Sequence, residues 1–258
     1  MNIPFVDLKL HNNFFKKKFI KNFNNILENS NFIKGKNNLL LEKKICKIFK
    51  CKYSLNVNSG TDTVTDLTTN DVLVVSSGAT ANVTGVTSFT ATSSTTNGGS
   101  ATLTAASSGG TIDMTNSASG NYTIAGAAGV DTFTGGGGAD IITGSSGADS
   151  ITGGAGNDVI TGGADNDNLT GGSGNDTFNV DSGTDTITDL TTNDILIVTS
   201  GATANATNIS GFTATSSTTN AGTANLTTAS GGGSIDMANS VSGAYTLTGL
   251  SGNDTLKG

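Results

Sequence analysis

Six aspartates recur at every ninth position: Asp131, Asp140, Asp149, Asp158, Asp167 and Asp176. Each is the sixth residue of a nine-residue unit, and the units read GAAGVDTFT, GGGGADIIT, GSSGADSIT, GGAGNDVIT, GGADNDNLT and GGSGNDTFN over residues 126–179. Two weaker units follow in register, VDSGTDTIT and DLTTNDILI, and keep Asp185 and Asp194. Carboxylates spaced this way, set among glycines with no His or Cys nearby, offer hard oxygen ligands only. Two carboxylates plus glycine carbonyls suit Ca²⁺ better than Zn²⁺ or Cu²⁺, and six or more flexible oxygens suit it better than Mg²⁺.

The elements that would position those carboxylates follow from the eighth residue of each unit. It is always large and apolar: Phe133, Ile142, Ile151, Ile160, Leu169 and Phe178, continuing to Ile187 and Leu196. A nine that offers a six-residue Gly/Asp loop and a three-residue apolar-centred strand predicts a right-handed coil of short parallel strands, two nines per turn. The eighth residues then point inward and stack at about 4.8 Å along the sheet. Asp residues two nines apart fall on one edge, so Asp131 stacks with Asp149, Asp140 with Asp158, Asp149 with Asp167, and Asp158 with Asp176. Two unit charges about 5 Å apart repel by roughly 1 kcal/mol in water and about 3 kcal/mol at an effective dielectric of 20. A divalent cation between successive loops reverses the sign of that term; the alternative is a metal-free solenoid with solvated, Asp-rich turns.

These units resemble the GGxGxDxUx repeats of hemolysin-type (RTX) calcium-binding proteins over residues 126–197, and GLSGNDTLK at 249–257 resembles them once more. The resemblance implies a parallel β-roll with Ca²⁺ in its turns, ligated by the sixth-position Asp side chains, with Asp185 among them. It adds carbonyls of loop residues such as Gly136, Gly138, Gly154, Gly156, Gly172 and Gly174. It further implies secretion through a C-terminal signal rather than a cleaved N-terminal one, and no such terminal segment is evident. One departure is Asp165, which replaces the fourth-position Gly in GGADNDNLT, where Asp tolerates a left-handed backbone.

Charge divides the 258 residues into two unlike parts. Residues 1–57 hold 12 of the 13 Lys against three acids, whereas residues 58–258 hold Lys257 against 17 Asp, so the overall charge of −7 describes neither. The acidic part contains a long repeat: Ser59–Gly135 aligns without a gap to Ser182–Gly258, and SGTDTVTDLTTNDVLVV returns as SGTDTITDLTTNDILIV. The second copy stops where the first leads into the nonapeptides, which suggests a chain cut short. The Thr-rich alternation of both copies predicts β-structure that extends or caps the roll, with Asp113 and Asp236 as turn or surface acids. No apolar run is long enough to span a membrane, and the N-terminus lacks a signal-peptide core. Cys46 and Cys51 have no partner pair and read as ordinary thiols.

The basic part reads as helical. Phe15, Phe19, Phe23, Ile26 and Leu27 form one apolar stripe over residues 12–28, and a second helix is expected at about 39–49. Lys16–Lys18 read as a solvated helix face, not a nucleic-acid site. IPFVDLK at 3–9 and NFIKGKNNLLLEKKICKIFKCKYSLNVNSGTD at 31–62 resemble the opening of DegT/DnrJ-type sugar aminotransferases. That resemblance implies a pyridoxal-phosphate loop at Ser59, Gly60 and Thr61. Aminotransfer needs a Schiff-base lysine, and after residue 52 the only Lys is Lys257, so no enzyme is expected.

The expected fold class is mainly β, a parallel β-roll or β-solenoid of nonapeptide repeats with a short helical N-terminal segment. Four divisions are expected: an aminotransferase-like remnant at 1–58, a Thr/Ser-rich β unit at 59–125, the nonapeptide roll at 126–197 and a second β unit at 198–258. The expected function is calcium binding coupled to folding in a secreted or cell-surface protein, with calcium ions as partners and surface or matrix contact through other domains. The alternatives are a non-functional aminotransferase fragment fused to repeats and a metal-independent structural repeat.

Overall fold

The structure, a computed structural model, describes residues 54–57 and 59–258. The two N-terminal helices, Lys16–Lys18 and the cysteines expected from the sequence lie outside the described residues. From Ser54 onward every pairing between strands is parallel, and the chain winds through about ten turns of a β-solenoid. Short Val/Ile/Thr-rich runs alternate inward and outward here because branched side chains fit a pleated, half-buried surface.

Two nine-stranded sheets carry the coil. One contains, in spatial order, Ser88–Thr90, Thr111–Asp113, Thr132–Thr134, Ser150–Ala155, Asn168–Ser173, Thr184–Ile187, Thr203–Ile209, Thr223–Thr228 and Tyr245–Thr248. The facing sheet contains Thr61–Val64, Thr80–Val86, Ser100–Ala105, Tyr122–Ala125, Ile141–Ser146, Val159–Ala164, Thr177–Val180, Ile195–Val198 and Thr219–Asn220. Strands from the nonapeptides and from both Thr-rich copies are therefore neighbours in the same two sheets. The core is correspondingly narrow. Phe89, Ile112, Phe133, Ile151, Leu169 and Ile187 form one buried column, and Val64, Val83, Leu103, Ile124, Ile142, Ile160, Phe178 and Leu196 form the opposing one. All eight eighth-position residues point inward, as their period requires.

Two features differ from the sequence expectation. Four of the nonapeptide strands run six residues, as in Val159–Ala164, through the seventh to third positions, so the loop there is shorter than the six residues expected, whereas Thr132–Thr134 keeps the expected three. The reason is that the glycine pairs are also in register with the coil above, as Gly154 is with Gly172. The second difference lies outside the roll, where a third strand is added to each coil. Ser54–Val57, Val72–Val75 and Thr96–Asn97 form one three-stranded sheet, and Gly211–Thr213, Ser234–Asp236 and Thr255–Lys257 form another. Register partners in these coils lie further apart, as Ser88 and Thr111 do, whereas nonapeptide partners such as Ile142 and Ile160 are eighteen residues apart.

Candidate metal centre

The sixth-position aspartates sit where each strand of the roll begins, and their side chains turn inward. Asp131, Asp140, Asp149, Asp158, Asp167, Asp176, Asp185 and Asp194 are all 3% exposed or less. The sequence placed these carboxylates in loop edges; the structure seals them between the end of the apolar column and the next turn of backbone. Each stacks on the aspartate two nines away, as expected, but through a specific bond. The N–H of Asp131 donates to Oδ1 of Asp149 at 2.8 Å, Asp149 to Asp167 at 2.8 Å, and Asp167 to Asp185 at 3.1 Å. On the other edge Asp140 donates to Asp158 at 2.7 Å, Asp158 to Asp176 at 2.9 Å, and Asp176 to Asp194 at 2.9 Å. The N–H groups of Gly110 and Tyr122 begin the two ladders, on Asp131 and Asp140. A charge-assisted bond from a backbone N–H thus offsets part of the repulsion along each row.

The second carboxylate oxygen carries the chemistry. Oδ2 of Asp131, Asp149, Asp158, Asp167 and Asp185 is buried without a hydrogen-bond partner. An orphaned buried acceptor costs about 1–3 kcal/mol, and more when charged. Oδ2 of Asp140 accepts instead from Gly136 N–H at 2.7 Å, and that of Asp194 from the N–H and hydroxyl of Thr191 at 2.7 and 2.9 Å. Burial, first of all, raises the carboxyl groups above their ordinary range, against the N–H bonds that lower them. Charges of neighbouring aspartates add to the rise at Asp149 and Asp158, pushed up to about 6, and at Asp185, pushed up to about 7. Asp131, Asp140, Asp167, Asp176 and Asp194 are raised for the same leading reason.

Each orphaned oxygen within the six strong repeats faces a bare Cα. A methyl group on Gly126, Gly144, Gly153 or Gly162 would collide with Oδ2 of the aspartate five residues later, and Gly135 and Gly171 stand in the same relation to Asp140 and Asp176. On Gly126, Gly135, Gly144 and Gly153 it would also meet the carbonyl oxygen of the residue eighteen further on, namely Gly144, Gly153, Gly162 and Gly171. First-position glycine is therefore required by space: it keeps open a cradle in which a carboxylate oxygen and a carbonyl oxygen from the adjoining turn converge. Among the described residues no three acidic, His or Cys side chains gather into a metal-binding cluster, so backbone oxygens must supply the rest of any ligand set. Hard, mixed carboxylate and carbonyl donors fit Ca²⁺.

The glycines named from the sequence occupy a neighbouring row. Gly154, Gly172, Gly156 and Gly174 adopt positive φ, and a Cβ on them would meet the carbonyls of Gly136, Gly154, Gly138 and Gly156 respectively. The carbonyl of Gly136 accepts from Ala155 N–H at 2.9 Å. Asp165 takes the same left-handed conformation, φ 81°, as its Gly-to-Asp departure anticipated. The carbonyls that converge on the cradles, those of first-position glycines, were missed because backbone oxygens leave no mark in a sequence. The invariance of Gly at that position in all six strong units was the available signal.

Ser59, Gly60 and Thr61 are exposed at the entrance to the strand Thr61–Val64, and the carbonyl of Gly60 accepts from Thr80 N–H at 2.8 Å. Among the described residues no helix is long and apolar enough to cross a membrane.

Comparison with known proteins returns two families. The RTX calcium-binding nonapeptide repeat matches residues 118–151, 125–160, 143–178, 152–187 and 242–258. These spans make up about a third of the chain, so the likeness is to the repeat array, whose nonapeptides bind Ca²⁺ in a structural, non-enzymatic β-roll. The DegT/DnrJ/EryC1/StrS aminotransferase family matches residues 14–110. That match runs past the 62 residues of the sequence resemblance and into residues that here wind as solenoid coils. No curated protein and no solved structure matches the chain.

Proposed function

We propose that this chain is a calcium-dependent structural module of a secreted or cell-surface protein, with no catalysis of its own, in which Ca²⁺ binding completes the folding of the roll. The observation that carries the reading is the series of buried Oδ2 atoms on Asp131, Asp149, Asp158 and Asp167, each without a partner and each set against a glycine cradle. A chain that folds with these charges uncompensated opposes its own compaction; a cation that binds only the folded state draws the equilibrium toward it. Asp131, Asp140, Asp149, Asp158, Asp167, Asp176 and Asp185 would contribute carboxylate oxygens, and the first-position glycines carbonyls. The spread of RTX repeats among secreted proteins favours an extracellular setting, where millimolar calcium matches the affinity of about 10⁻⁴–10⁻³ M usual for extracellular modules.

Adding Ca²⁺ to the chelated protein is expected to increase β-type circular dichroism and to release heat in calorimetry, while equimolar Mg²⁺ does neither. An unchanged spectrum with no calcium bound would sink the reading. The aminotransferase match at residues 14–110 supports a second one, in which the N-terminal stretch derives from a pyridoxal-phosphate enzyme. The lack of any lysine between Lys52 and Lys257 weighs against turnover, and an aldimine absorbance band on adding the cofactor would revive it.

A further inference from the structure

The two aspartate edges differ in how they finish. On the edge of Asp140, Asp158, Asp176 and Asp194 the last carboxylate is closed by Thr191. Asp189 takes the first position of its nine, where the strong units have Gly, and is pinned by two backbone bonds, Gly171 N–H to Oδ1 at 2.8 Å and Gly172 N–H to Oδ2 at 2.7 Å. The other edge ends open. Asp131, Asp149, Asp167 and Asp185 all keep an orphaned Oδ2, and the nine that closes this edge carries Val180 and Asp181 where the regular unit has two glycines.

That replacement lies eighteen residues on from the last cradle of this edge, where the three nearest atoms to a Cβ added at Gly162 all belong to Asp167. Asp181 is docked at the same place, with Oδ1 accepting from the N–H of Gly163 at 3.2 Å. Asp167 Oδ2 and the Asp181 carboxylate thus lie against one dipeptide, Gly162–Gly163. Asp167 is 3% exposed, whereas Asp181 is exposed, which gives the site a buried wall and an open mouth.

We propose that the Gly162–Gly163 cradle, with Asp167 and Asp181 as its two carboxylates, is a distinct divalent-cation site that takes up Ca²⁺ more tightly than the regular cradles and fills first. The inference rests on the calcium reading above and adds to it a residue, Asp181, that lies outside the repeat pattern. A regular cradle presents one carboxylate oxygen and one neutral carbonyl; here Asp181 brings a second anion to the same dipeptide, and its attraction for a divalent ion at this range is worth at least a factor of about ten.

The test is calcium titration of the full chain by calorimetry, comparing wild type with Asp181→Asn, Asp181→Glu and Asp113→Asn. Asparagine keeps an acceptor for Gly163 N–H and removes only the charge. D181N is expected to weaken the tightest step by about tenfold, and D181E to retain it within a few-fold. D113N, the same charge change at a half-buried acid that accepts from Thr115 N–H, is expected to leave it unchanged. A tightest step that survives D181N, or that falls equally with D113N, overturns this site while leaving the calcium reading intact. A wild-type chain that binds no calcium overturns both.

Discussion

The roll and the Thr-rich coils on either side of it turn their corners by opposite means. In the flanking coils the buried polar groups at the corners are neutral and satisfied. Asn97 Nδ2 donates to the carbonyl of Asn121 at 2.5 Å while its Oδ1 accepts from Gly99 N–H at 3.1 Å, and Asn220 repeats the arrangement with Ala244 and Gly222 at 2.6 and 3.0 Å. Thr95 and Thr218, both fully buried, accept from the N–H groups of Thr92 and Thr215. In the roll the buried polar side chains are carboxylates instead, and among the described residues every buried side-chain oxygen without a partner belongs to one of them. One continuous pair of sheets therefore joins coils whose buried polar groups are paired to coils that keep buried carboxylate oxygens unpaired.

The sharpest way to break that contrast is to withdraw calcium and follow amide exchange. With a chelator, amides of Ile141–Ser146, Ser150–Ala155 and Val159–Ala164 are expected to lose most of their protection. Those of Ser100–Ala105 and Thr223–Thr228, whose corners need no cation, are expected to keep a larger share of theirs. Simultaneous loss in all five strands would show that the metal supports the whole coil and that the corner chemistry is not the divide.

A narrower probe uses glycines that differ in what they are for. Gly144 has an ordinary φ but no room, since a Cβ there would run into Asp149 Oδ2 and Gly162 O. Gly78 has φ +78° and nothing within 4 Å of where a Cβ would stand. Gly144→Ala is expected to destabilise the calcium-loaded protein by about 2–3 kcal/mol through overpacking and to delete one calcium from the stoichiometry. Gly78→Ala is expected to cost about 1 kcal/mol of backbone strain and to leave the stoichiometry alone. Denaturant unfolding with calcium counting distinguishes them; a G144A protein with full stoichiometry would mean the cradle is not where the ion sits.

This division was only partly legible in the sequence. The period of nine fixed which residue faces inward and which aspartates share an edge, because spacing alone determines both in a coil of two nines per turn. It did not reveal that the strand continues through the glycine pair, since Gly carries no β signal and pairs here only because an identical turn lies above it. The third strand of the flanking coils was hidden for the opposite reason: successive turns there, as between Thr80 and Ser100 or Ser88 and Thr111, differ in length and leave no period to read. Burial of the sixth-position carboxylates was obscured by their chemistry, because an Asp among glycines has the composition of a solvated turn.

The gentlest test of the contrast is pH. With calcium removed, Asp149 and Asp158 titrate in the folded roll at about 6 and Asp185 at about 7, well above the carboxylates of an unfolded chain. The folded state then binds more protons than the unfolded one across that interval, so its stability is greatest below the unfolded value and is lost as pH rises through 6 and 7. The chelated protein should accordingly melt several degrees lower at pH 8 than at pH 5. On the proposed reading calcium takes the place of those protons and its binding releases them, so the calcium-loaded protein should hold or raise its melting temperature over the same interval. In the flank Asp236 runs the other way: the N–H of Ala238, and then Lys257 at 3.0 Å, hold its carboxyl low, so that whatever it contributes is present above the ordinary carboxylate range and disappears in acid. Opposite slopes with and without calcium would place the proton and the cation at one set of oxygens. A chelated protein indifferent to pH between 5 and 8 would mean that the aspartates reach solvent when the metal leaves, and that the roll opens at its corners before it unwinds.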